Sequence, residues 1–282
     1  MKPHLRVGLI GAGRAGTVIA RALERAGHSC VAVDAISDAA KARASQLLPS
    51  ADITDAVGVC EAADLVVVAV PDSSIEAVVT GLVNARAIGA RHVVMHLSGA
   101  HGTGVLQSAA AVGAMVIAAH PAMTLHGRIE DVQRLEHCPF AVTAEGDALP
   151  IAQALIIELG GEPVVVAEAD RMRYHAALAH ASNHSVTLVS QSMELLADIG
   201  IDNPGAYLRQ LVNASVDHAL REGDRALTGP IARGDFATIR EHLQALRSAR
   251  GSTRKSYVAL AKATIERQQR ELDADTLKAF DE

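Results

Sequence analysis

Two periodicities divide the chain. In the first half, short runs rich in β-branched and apolar residues recur at residues 6–10, 29–33, 65–70, 92–97, 114–119, 139–143 and 163–166, separated by stretches with helical spacing. Such alternation predicts a largely parallel sheet covered by helices. The runs at 65–70 and 114–119 are continuously apolar, as expected of strands buried on both faces. From residue 168 onward the strand signal stops. The remainder predicts long helices over residues 170–199, 204–222, 236–248 and 252–272, punctuated by Gly200, Gly223 and Gly251. The expected organisation is a doubly wound α/β domain over residues 1–168, followed by an all-helical domain over 169–282.

Composition removes several function classes. A hydrophobic content of 49% over 282 residues allows a large core. The formal charge of −6 and the scarcity of aromatic residues argue against a nucleic-acid partner. The three cysteines, Cys30, Cys60 and Cys138, are widely spaced and form no CxxC pair, so neither a disulfide frame nor a thiolate zinc site is expected, and a reducing cytoplasm fits. Arg14, Arg21, Glu24 and Arg25 interrupt the apolar start before an export signal could form, and no uncharged stretch reaches membrane-spanning length, so no membrane partner is expected.

The sequence Gly11-Ala12-Gly13-Arg14-Ala15-Gly16 stands directly after the first strand-like run and before a helical one. In a strand–turn–helix of this spacing the first glycine permits the tight turn, the second lets backbone approach a pyrophosphate, and the third lets helix pack on strand. The helix N-terminus then offers unsatisfied N–H groups to the phosphates. Asp34, at the end of the second run, stands where a carboxylate meets the adenosine ribose. The first domain is therefore expected to be of the Rossmann type and to bind NAD or NADP. Asp34 would repel a 2′-phosphate and favours NAD, whereas Arg14 and Lys41 could attract one. Val70, Pro71 and Asp72 close the third run, where the chain would pass beside the cofactor; they could equally stop the strand and cap the next helix.

On the first long helix, a turn of about 100° per residue puts Leu178, Val186, Val189 and Met193 in one apolar stripe. His175 and Ser182 lie within that stripe and Asn183 on its edge, so these polar groups are expected to face inward. His180 and His184 fall on the opposite side, and without a third ligand they predict no metal site. His96, His101 and His126 flank the expected cleft without a spacing that assigns them a role.

Several blocks together resemble a known family. They are Tyr174-His175-Ala176-Ala177, Ala181-Ser182-Asn183, Leu227-Thr228-Gly229-Pro230-Ile231-Ala232-Arg233-Gly234-Asp235 with Thr238 and His242, His120-Pro121 and Ser98-Gly99. The chain resembles Rossmann-like proteins of the 6-phosphogluconate dehydrogenase-like superfamily whose C-terminal half has been a domain of unknown function. Some relatives look like alternative ketopantoate reductases. The resemblance implies an NAD(P)-dependent reductase of a small 2-keto acid or related carbonyl, with an imine or 3-hydroxyacid dehydrogenase, or a dinucleotide-binding sensor without turnover, as alternatives. Related enzymes carry a lysine on the inward helix; His175 falls at that position here, with Asn183 two turns on. A histidine can donate a proton but carries no permanent charge. The implied roles are proton donation by His175, substrate orientation by Asn183 and Ser98, and a carboxylate clamp by Arg233. The block around Arg233 also reads as a Gly-Pro turn with Asp235 capping the next helix. The helical half offers more apolar surface than a short bundle can hide, so a homodimer is expected.

Overall fold

The computed structural model describes residues 4–269, 271 and 273–281. The chain divides into two compact units, Met1–Ala179 and His180–Glu282.

The first unit is built on eight strands, β1 (Arg6–Ile10), β2 (Ser29–Asp34), β3 (Asp52–Thr54), β4 (Leu65–Val68), β5 (Val93–His96), β6 (Met115–Pro121), β7 (Pro139–Thr143) and β8 (Glu162–Val165). They form one sheet in the order β3-β2-β1-β4-β5-β6-β7-β8. Pairing is parallel from β3 to β6, antiparallel between β6 and β7, and parallel again between β7 and β8. Connecting helices are α1 (Arg14–Arg25), α2 (Asp38–Leu47), α3 (Ala56–Ala62), α4 (Ile75–Asn84), α5 (Gln107–Ala111), α6 (Ile129–Gln133) and α7 (Ala148–Glu158). Alternate strand residues feed two separate cores. Leu9, Val67, Met95 and Ile117 join one, and Ile10, Val66, Val68 and Val94 join the other. Burial on both faces is what the continuous apolar runs require. The short β3 escaped prediction because Asp52, Ile53 and Thr54 are all exposed and form no apolar run.

Register places the functional edge. Ile10 pairs with Asp34 and with Val68, Val68 with His96, and His96 with Ala118, so the carboxyl ends of β2, β1, β4, β5 and β6 lie on one line. Strand order reverses between β1 and β4, the point at which open α/β sheets leave a crevice.

Helix α8 (Arg171–Asp198) begins in the first unit and continues into the second, which adds α9 (Pro204–Glu222), α10 (Gly229–Arg233), α11 (Phe236–Ala245), α12 (Thr253–Arg267) and α13 (Ala274–Asp281). The strand signal ends at 168, but the compact unit runs on through Ala179, because Arg171 in the first turn of α8 is tied beneath the sheet edge. In the second unit Ile239, Leu243, Ala261, Ile265 and Phe280 form the core. Helix α9 starts at Pro204 with Asn203 accepting the Ala206 N–H, a strong start signal. The predicted helix over 236–248 tightens into a 3-10 turn at Leu246–Ser248. The predicted end at Leu272 lies outside the described residues; within them α12 stops at Arg267, just before Gln269 turns to a positive φ of 51°. Among the described residues no helix is long and apolar enough to cross a membrane.

Candidate functional site

The glycine turn follows β1 and enters α1 as the sequence predicts. Gly11 has a φ of 91°, and a Cβ there would meet the Ala69 carbonyl oxygen at 2.7 Å. A Cβ on Gly16 would meet the Ala69 Cβ at 2.6 Å and the Gly11 oxygen at 2.8 Å, so helix and strand end touch here. Gly13 differs: its nearest neighbour would be the Ala69 oxygen at 3.8 Å. Nothing within the chain demands a glycine there. Gly13 is the N-cap of α1, makes no side-chain cap, and is followed by a first turn free of acidic residues. An open helix N-terminus with backbone accessible beside it suits a pyrophosphate. The residues present thus fit a dinucleotide.

Around this turn, Arg14 opens α1 and is exposed, Ala12 is buried and Ala15 half-buried. Asp34 lies half-buried at the end of β2, and its carboxyl is pushed up by burial and by the nearby Asp55 carboxylate. Val70 packs its Cγ1 toward Gly11. Pro71 and Asp72 are exposed, and α4 begins without a side-chain cap, which leaves Asp72 free of the capping role. Sequence reading missed Arg43, whose guanidinium on α2 donates to the Ala12 carbonyl at 2.7 Å and so braces the turn.

At the ends of β5 and β6 lies a second cluster, also in the first unit. The Ser98 hydroxyl accepts the N–H groups of Ala100 and His101, so this side chain holds its own turn. Gly99 is sandwiched: a Cβ there would lie 2.9 Å from the His175 ring and 3.1 Å from the His120 ring. The two imidazoles stand edge to face with centroids 6.4 Å apart. Nδ1 of His120 shares a hydrogen bond of 2.9 Å with the Tyr174 hydroxyl. His96 is wholly buried, with Nδ1 accepting from the Ser98 N–H and Nε2 bonded to the Gly102 carbonyl. Burial holds both His96 and His120 down at about 4, with the neighbouring Arg171 cation adding to it. Both are neutral near pH 7.

Arg171 underlies this edge. It is 1% exposed and donates to the Thr143 hydroxyl and to the carbonyls of Ser98, Ala118 and Ala141, all neutral oxygens. A buried guanidinium without a carboxylate hydrogen-bond partner is costly, and desolvation lowers its pKa. Sequence offered no signal for it. His120 and Tyr174 were visible only inside the family-like blocks, without roles.

On the predicted inward stripe His175, Leu178 and Val189 are half-buried, but every residue from His180 to Leu188 is exposed, Val186 at 67%, so around Ser182 and Asn183 no face of α8 is covered by the described residues. Further along, Gln191 turns toward Ser252 and Ser256. Arg233 is exposed at the end of α10, followed by Gly234 in the left-handed conformation, and Asp235 caps α11 by accepting the Thr238 N–H. His180 and His184 share a hydrogen bond of 2.8 Å on the exposed side of α8. The structure therefore gathers Gly11–Gly16, Asp34, Val70, Asp72, Ser98 and His175 in the first unit, with Asn183 and Arg233 in the second.

Comparison with known proteins draws its line earlier in the chain, between β6 and β7. Residues 1–121 match the model of the Rossmann-like domain, and residues 138–264 match DUF2520, a domain of unknown function. No curated protein matches the sequence. Among solved structures, a Bacteroides fragilis protein provisionally named an NADP oxidoreductase is 22% identical over 93% of this chain and 98% of its own, with a TM-score of 0.79. An imine reductase variant from Myxococcus stipitatus in complex with NAD+ is 16% identical over 100% of both chains, with a TM-score of 0.64. Pyrroline carboxylate reductase from Plasmodium falciparum with NADP bound is 12% identical over 98% of this chain and 97% of its own, with a TM-score of 0.61. At these identities the likeness is one of fold: a Rossmann-like domain followed by a DUF2520 helical domain.

Proposed function

We propose that this pairing of a Rossmann-like domain with a DUF2520 domain is an NAD(P)-dependent oxidoreductase that reduces the polarised C=O bond of a small carboxylate or the C=N bond of a small imine. The observation that carries the reading is Gly13, a glycine without an internal steric reason, beside an uncapped helix N-terminus on the sheet edge that also bears the two imidazoles. A bound reduced nicotinamide supplies the hydride. The chain contributes the turn that orients it and a proton donor, for which the facing imidazoles of His175 and His120 are the candidates. Asp34, with Asp55 beside it, forms a negative end to β2 and favours NAD over its 2′-phosphorylated form. Asn183 and Arg233 carry substrate orientation and carboxylate binding in this reading, each tested by its alanine variant. A 2-keto acid, ketopantoate first, is the leading substrate. An imine is the second reading, favoured by the imine and pyrroline carboxylate reductases among the fold relatives.

The test is thermal stabilisation by NADH and NADPH, followed by nicotinamide oxidation with pyruvate, ketopantoate and 2-methyl-1-pyrroline. Stabilisation with turnover on one carbonyl or imine supports the reading. Binding with no turnover on any of them refutes the oxidoreductase and leaves a dinucleotide-binding protein.

The assembly we propose is a homodimer through α9. This helix has no buried residue, and Tyr207, Leu211 and Leu220 are at least 66% exposed. A lone helix of this kind is marginal unless something covers it. One face presents Ala206, Arg209, Gln210, Asn213 and Asp217. Around a twofold axis at Asn213, a second copy running antiparallel brings Arg209 opposite Asp217, which also pairs with Arg221 of its own helix, twice, the self-complementarity an isologous interface needs.

A further inference from the structure

We propose that His120, rather than His175, delivers the proton to the substrate from its Nε2–H, and that the Tyr174 hydroxyl behind it replaces that proton through Nδ1. The proposal rests on the oxidoreductase reading above for its substrate, and on the first unit alone for its geometry.

A proton donor needs a ring fixed in one orientation and one tautomer. His120 has this: Nδ1 lies 2.9 Å from the Tyr174 hydroxyl, while Nε2 has no hydrogen-bond partner among the described residues. His175 has no hydrogen bond among the described residues to fix its ring. A phenol is a better donor than a neutral imidazole N–H, and the basic ring nitrogen a better acceptor than a phenol oxygen, so the pair settles as O–H···Nδ1 with the hydrogen on Nε2. Gly99, which admits no Cβ, lets the backbone pass between the two rings.

The balance closes within named groups. A bound reduced nicotinamide would supply hydride to the carbon of the C=O or C=N bond, and the oxygen (or nitrogen) of that bond would take the Nε2 proton. The Nε2–H bond breaks, its electron pair stays on the ring, and Nδ1 takes the Tyr174 phenolic proton. Tyr174 is left as a transient phenolate until water returns the proton; burial raises its pKa and the adjacent Arg171 cation offsets part of that. Arg171 is thus a positioning residue, and its lack of an anionic hydrogen-bond partner acquires a reason. Burial does most to keep His120 neutral, with His175 and Arg171 on α8 and His96 on β5 adding to it and Asp72 after β4 opposing it, while the Tyr174 hydroxyl holds Nδ1.

Two measurements test this. Long-range proton–nitrogen correlation on histidine-labelled full-length protein, with His120→Asn to assign the signal, should show His120 neutral at pH 7 with the hydrogen on Nε2. Tyr174→Phe should let the tautomers mix. In turnover on whichever of pyruvate, ketopantoate and 2-methyl-1-pyrroline the protein reduces, His120→Asn should lower kcat about 100-fold or more with little change in KM, and Tyr174→Phe about 10-fold. The loss in kcat on His120→Asn should exceed that on His175→Asn at least about tenfold. An Nδ1–H tautomer, a charged ring at pH 7, or a His175 variant slower than the His120 variant overturns the relay and leaves the reductase reading standing. Absence of turnover in the unmodified protein refutes the reductase reading instead, and the relay is then judged on the tautomer alone.

Discussion

Substituting alanine at two glycines of one turn should have opposite consequences. In Gly16→Ala the new methyl would sit 2.6 Å from the Ala69 Cβ and 2.8 Å from the Gly11 oxygen, neither the end of a flexible side chain. Relief requires α1 to move off the sheet, an overpacking cost of about 1–3 kcal/mol. In Gly13→Ala the methyl meets only the Ala69 oxygen at 3.8 Å, and a φ of −72° suits alanine. Its N-cap loss and its reduced unfolded-state entropy are each below about 1 kcal/mol and opposed in sign, so stability should stay within ~1 kcal/mol. That methyl does occupy the space through which backbone reaches a pyrophosphate. Loss of close approach should weaken NADH about 10- to 100-fold, or ~1.4–2.8 kcal/mol. Urea unfolding and calorimetric titration with NADH and NADPH read the two effects separately. If Gly13→Ala binds both dinucleotides as tightly as the unmodified chain, the turn is only a turn and the reasoning fails.

Other consequences follow from the same edge. Arg171→Met strands four oxygen acceptors and should destabilise by roughly 3 kcal/mol or more, read by thermal unfolding; Arg171→Lys, unable to reach all four, should recover little. His96 and His120 have folded pKa values lowered from 6.5 to about 4, so the unfolded chain binds more protons between those values. Stability should be full above pH 6.5 and fall by about 1.4 kcal/mol per pH unit per histidine as pH drops toward 4, a slope that a flat urea midpoint between pH 6.5 and 4.5 would exclude. Asp34→Asn should narrow the preference for NADH over NADPH by about tenfold in Kd, and an unchanged ratio removes Asp34 from that role. Arg209→Asp and Asp217→Arg should each shift the proposed dimer toward monomer in light scattering, while the double exchange restores it; a monomeric parent chain ends the proposal.

What the sequence made legible is what local pattern governs. The runs at 65–70 and 114–119 became β4 and β6 because burial on both faces leaves a continuous apolar signature, and α9 matched its predicted span because Asn203 and Pro204 mark its start chemically. The inward face of α8 followed the pattern at His175, Leu178 and Val189 but not between them. Periodicity identifies an apolar stripe but not what covers it, and around Ser182, Asn183 and Val186 the described chain covers nothing. The His120–Tyr174 bond spans 54 positions, and Arg171 meets strands β6 and β7 from the start of a helix. No spacing rule reaches across such distances; only sheet register brings those groups together.

Glycine use along the sheet edge argues the location of the ligand independently of any motif. Gly11 and Gly16 are forced by Ala69, and Gly99 by the His120 and His175 rings. Each of these is explained by the chain itself. Gly13 is not, and it stands between two that are. Close packing leaves little room for a vacancy without a purpose on an otherwise crowded edge. In the proposed reading an external molecule approaching the backbone at Gly13 would supply the missing constraint, and its reach from there along the ends of β1, β4, β5 and β6 would carry it past Asp72 toward the imidazole of His120.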